Sequence, residues 1–82
     1  MGRASMSKIR DLEEIAEIIS IAIVREQASV KYYQRAYKKA TTESAKEAFS
    51  LLVEQERGHE ARLRAQLHEI KAALVLERMK SR

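Results

Sequence analysis

The amino-acid sequence predicts an all-α protein, an antiparallel two-helix hairpin that dimerises into a four-helix bundle. Three observations predict it. The 82 residues contain no Pro, no Cys, no Trp and only two Gly, so little interrupts a helix and no disulfide can staple the fold. Apolar residues recur at i, i+3 and i+4 through both halves, the period of a helix face rather than of a strand. The rhythm breaks at Ala40–Ser44, near the middle of the chain.

The first helix is expected from about residue 7 to about residue 40. Its apolar stripe runs through Ile9, Leu12, Ile15, Ile19, Ala22, Ile23, Val30, Tyr33 and Tyr37. Asp11, Glu13 and Glu14 favour its beginning and Lys38 and Lys39 its end, as the helix macrodipole prefers. Residues 1–6 read as a flexible N-terminus, with Met1–Ser5 foreign to a natural start at Met6. The connection is the sequence Ala-Thr-Thr-Glu-Ser, in which Thr41 or Thr42 can cap a second helix. That helix is expected over about 43–78, through Ala45, Ala48, Phe49, Leu52, Leu63, Leu67, Ile70 and Leu74, fraying near Arg78–Arg82.

A hairpin of this kind has one broad apolar face and cannot cover it alone. Small domains answer that deficit with a metal, disulfides or a partner chain, and disulfides are excluded here. A net charge of +4 and a pI near 9.6 permit an anionic partner. The bases are interspersed with acids, however, which marks solvated faces, and no nucleic-acid partner is expected. Those outer faces carry too many charges for an assembly contact beyond the dimer to be read from them. The longest apolar run, Ile18–Val24, is far shorter than the ~20 residues of a membrane span, and no signal-peptide core precedes it. A cytoplasmic protein with no membrane partner is the expectation.

Three ionisable residues interrupt the apolar stripes. In the first helix Glu26 lies three residues after Ile23 and seven before Tyr33. In the second, Glu56 lies four after Leu52 and seven after Phe49, with His59 three further on. Glu26 stands fifteen residues before Thr41 and Glu56 fifteen after it. At ~1.5 Å per residue both fall roughly 22 Å from the turn, so the three groups are expected at one level. Carboxylates in an apolar interface cost several kcal/mol each unless they are paired or bind a cation. Arg25 and Arg57 point away from the stripe, which leaves a divalent metal as the simpler compensation. Two chains would assemble four carboxylates and two imidazoles, a ligand set suited to iron, or to manganese, better than to zinc.

The competing reading is a metal-free helical interaction module whose polar interface residues set its register. Under it, Glu56 pairs with a base of another chain and His59 is a hydrogen-bonded interface histidine. His68 reads as a surface residue, and Tyr37 as packing. Glu54 and Glu60 read as exposed flanking acids, Glu60 with a place on an entry path as the alternative. Gln66 reads as a polar neighbour of the site or a polar core position.

The spacing Glu-x6-Tyr at Glu26 and Tyr33, followed by Phe-x6-Glu-x-x-His at Phe49, Glu56 and His59, resembles one half of a rubrerythrin-type, ferritin-like di-iron domain. The resemblance covers about Ile19 to Leu67. It is nearest to encapsulated-ferritin-like proteins, whose two-helix subunits pair to build the iron site between chains. It implies that Glu56 bridges or chelates two irons at the dimer interface, with Glu26 and His59 completing each iron's ligands. It makes Tyr33, beside Tyr32, a nearby residue or electron donor. The implied activity is oxidation of ferrous iron by dioxygen or peroxide, as a ferroxidase or a rubrerythrin-like peroxidase. Two departures stand out. The residues around Glu26 are Arg25, Gln27 and Ala28 rather than the acids that draw iron in, and there is no Cys-x-x-Cys electron-transfer module, so an external electron donor is implied. Some relatives work inside an encapsulin shell, but no apolar docking peptide follows Leu76.

Overall fold

The computed structural model describes residues 2–81, side chains from Met6 onward, as two helices, α1 (Gly2–Lys39) and α2 (Glu43–Lys80), of 38 residues each. They pack antiparallel along their whole length into a rod of 62 × 14 × 12 Å. No Pro opposes helix in residues 2–6, and α1 starts at Gly2, five residues ahead of the expected boundary. Met1, the first residue of the expected flexible leader, lies outside the described residues. α2 runs two residues past its expected end, because Ser81 closes it: its N–H and its Oγ both donate to the Glu77 carbonyl, at 3.1 and 2.9 Å.

The connection is three residues, Ala40–Thr42. Thr42 is the N-cap of α2, extended at φ −111° and ψ 150°, and its hydroxyl accepts the Ala45 N–H at 3.2 Å. One of the helix's unpaired first-turn donors is thereby satisfied. Glu43 adds a negative charge in the same turn, and Lys38 and Lys39 place positive charge at the end of α1.

The core between the helices is thin. Ile23, Val30, Val53 and Leu74 are buried, while eleven large apolar side chains among the described residues remain exposed. Two of these, Ile15 and Tyr37, belong to the apolar stripe of the sequence. They lie off the line of contact with α2, which is narrower than the stripe. The hairpin thus leaves more large apolar side chains in solvent than it fully buries, the expected signature of an unpartnered face.

Ion pairs bind the open end. Lys8 Nζ lies 3.2 Å from Glu77 Oε1, which Lys80 also approaches at 3.3 Å, and Arg78 Nη2 lies 3.1 Å from Glu13 Oε2. Glu77, only 6% exposed, is a buried charge that sequence reasoning overlooked. The signal was available in Lys80, one turn on, and in Lys8, which antiparallel packing brings to the same level. The Lys8 ammonium, and secondarily Lys80, holds the Glu77 carboxyl below the usual carboxylate range, against the opposing effect of burial.

Candidate metal centre

Glu26 on α1 and Glu56 and His59 on α2 converge. One ligand atom from each lies within 4.8 Å of the others. His59 Nδ1 stands 3.7 Å from Glu26 Oε2 and 3.7 Å from Glu56 Oε1, too far for hydrogen bonds. The helix period explains the convergence within α2, since residues three apart share a face. Antiparallel packing across a three-residue connection explains the convergence between helices.

The electrostatics of the group are unbalanced. Among the described residues, neither Glu26 nor Glu56 makes an ion pair with Lys or Arg. Glu26 Oε2 is buried and has no hydrogen-bond partner. Native structures rarely leave such an atom unsatisfied, and the cost of doing so is about 1–3 kcal/mol, more for a charged group. His59 is the open member, its side chain 47% exposed against 23% and 19% for Glu26 and Glu56. The carboxylates are therefore anchored in the hairpin and the imidazole stands at its surface.

Glu60, read from sequence as a flanking exposed acid, is half-buried and engaged. Its Oε2 accepts from Arg64 Nε at 2.8 Å and from Gln27 Nε2 at 3.4 Å. That pairing crosses between the helices beside the Glu26 level, so Glu60 has a base of its own while the Glu26 trio has none. Tyr33 is half-buried and contributes no atom to the group; its ring meets that of Tyr32 edge to face, centroids 5.6 Å apart. Gln66 and His68 are both exposed. The polar-core alternative for Gln66 is thereby corrected: it lies outside the helix contact.

The sequence model of the Rubrerythrin family matches residues 4–80, nearly the whole chain. The protein belongs to the rubrerythrin family. Comparisons with curated proteins and with solved structures found no match. Rubrerythrins are ferritin-like proteins that typically bind iron, and the donor set of this one fits that metal. Two carboxylates and an imidazole are hard and borderline ligands suited to a ferrous ion, and the partnerless Glu26 oxygen is an atom that a cation would satisfy. Among the described residues of this rubrerythrin, no helix is long and apolar enough to cross a membrane.

Proposed function

We propose that this rubrerythrin is a di-iron carboxylate protein whose metal site is shared between two copies of the chain. In this reading it oxidises ferrous iron with dioxygen or peroxide. The observation that carries the reading is the Glu26–Glu56–His59 group, with a buried carboxylate oxygen that has no hydrogen-bond partner among the described residues.

Charge arithmetic supports two metals per pair of chains. Four carboxylates from two copies carry the negative charge that two divalent cations neutralise, and among the described residues no Lys or Arg pairs with them. Three ligands from each chain would leave positions on the iron open to an oxidant, which suits redox chemistry better than a closed structural site. Bound iron would supply the electrons, two ferrous ions reducing one hydrogen peroxide to two waters with uptake of two protons. The chain's own part is to hold the cations at a spacing set by α1 and α2, and to keep their charge matched. In this reading Tyr33, two turns along α1 from Glu26 at ~10 Å, serves as an auxiliary electron donor. Electrons for repeated turnover come from an external donor.

Anaerobic loading with ferrous iron tests the reading. Elemental analysis should find one iron per chain, and Glu56→Ala should lower iron affinity at least tenfold. Addition of dioxygen or peroxide to the loaded protein should then yield ferric iron, the faster oxidant naming the activity. Binding well under one iron per chain in the wild type overturns the proposal in favour of the metal-free interaction module.

A further inference from the structure

One residue on the contact line of α2 breaks its pattern. Val53, Glu60, Leu67 and Leu74 follow one another at intervals of seven, which returns a helix to within about 20° of the same direction. Val53 and Leu74 are buried and Leu67 is half-buried, so packing favours an aliphatic side chain at the position of Glu60. Glu60 stands there with its side chain only 21% exposed, and its carboxylate needs partners. Arg64 Nε donates to it at 2.8 Å from one turn further along α2, and Gln27 Nε2 donates at 3.4 Å from α1.

This network stands immediately beside the metal group. Gln27 follows Glu26 in α1, and Glu60 follows His59 in α2. Among the described residues, the other ion pairs and side-chain hydrogen bonds between the helices lie at the open end or within the ligand trio. The trio does not hold itself together. The Glu26 and Glu56 carboxylates repel each other, and His59 Nδ1, 3.7 Å from both, bonds to neither. Before a cation arrives, the distance of Glu26 from the two donors of α2 is therefore set by the helices alone.

We propose that Glu60 is a positioning residue for the metal site. Through Gln27 and Arg64 it fixes the register of α1 against α2, and so the distance from Glu26 to Glu56 and His59. It contributes no atom to the donor group. An aliphatic residue in its place would hold the helices together and let them slide, whereas a hydrogen bond across them has a set length and direction. This role rests on the metal-site reading and concerns the site before metal binds.

Melting of the metal-free chain and anaerobic titration with ferrous iron together test it. Glu60→Leu continues the apolar column, so the metal-free chain should melt higher while iron affinity falls about tenfold. A residue that served stability alone would not move the two in opposite directions. Glu60→Gln keeps an oxygen that accepts from Gln27 and Arg64, and it should keep most of the affinity. Gln27→Ala should weaken iron binding, and added to Glu60→Leu it should weaken it no further, because both changes break one contact. Unchanged affinity in Glu60→Leu overturns the proposal, as does a fall of melting and affinity together. A Glu60→Gln variant as weak as Glu60→Leu also overturns it, since the metal would then be using the charge itself. So does a further loss in the double variant. A wild type that binds well under one iron per chain removes the metal-site reading and this role with it. A loaded wild type with an indifferent Glu60→Leu removes the positioning role alone.

Discussion

Glu26 shows how one atom can reveal what a small fold is for. Its Oε2 is buried without a partner, although Arg25 is its neighbour in the chain and uncharged donors are common on α1. A chain selected only for a stable hairpin would place an aliphatic residue there. Glu26→Gln therefore separates stability from binding: it keeps the side chain's shape and removes the unpaired charge. The metal-free variant should be more stable than wild type, by about 1 kcal/mol in chemical denaturation, because a buried charge has been neutralised. Its iron affinity should fall at least tenfold in the same preparation. A loss of metal-free stability on this change would mean that the carboxylate has a partner within the hairpin after all. Glu60 illustrates the contrasting case, since Arg64 and Gln27 satisfy it and it needs no cation.

At the scale of the helix, local chemistry sets the ends and the connection between them. Thr42→Ala removes the acceptor for the Ala45 N–H and should destabilise the hairpin by about 1 kcal/mol. Gly58 sits within α2, and a Cβ there would meet nothing within 4 Å. Gly58→Ala should therefore stabilise the helix by about 0.5–1 kcal/mol, read as a rise in the denaturation midpoint. Much of this level was legible in advance. The apolar period marked both helices, and Thr42, one of two candidate caps, stands where hydroxyls interrupted the rhythm. The level placement of Glu26 with Glu56 came from counting out from the connection. What escaped was contact across the helices that no period encodes. Glu77 meets Lys8 and Glu60 meets Gln27 across the helices, whereas only the partners on α2 itself, Lys80 and Arg64, follow from spacing along one helix.

For the whole molecule, ion pairs reinforce the apolar contact at the open end. A carboxyl whose folded-state pKa lies below its unfolded value favours the folded state above the unfolded pKa. That contribution disappears as pH falls through the folded-state value. Glu77, lowered chiefly by Lys8, therefore stabilises the open end at neutral pH and loses that effect on the acid side of 4.5. Hydrogen exchange should report earlier opening of residues 71–80 than of residues 43–53 as the solution is acidified. Lys8→Ala should produce the same opening at pH 7 and weaken its dependence on acid. Equal protection of both segments throughout would show that the ion pairs contribute nothing there.

The Glu26 level sits off-centre along the rod. Thirteen residues separate Glu26 from Lys39 and Glu56 from Glu43, while twenty-four separate Gly2 from Glu26 and Glu56 from Lys80. At ~1.5 Å per residue, the ligands stand ~20 Å from the connection and ~36 Å from the far ends of the two helices. The rod is thus a zipper whose closed end holds the ligands and whose loose end lies more than six turns away. Fraying that begins at the far helix ends must open those turns before it reaches Glu26. The long arm is thermal insulation for the ligand set, and the chain can open at one end while its three donor atoms keep their register at the other.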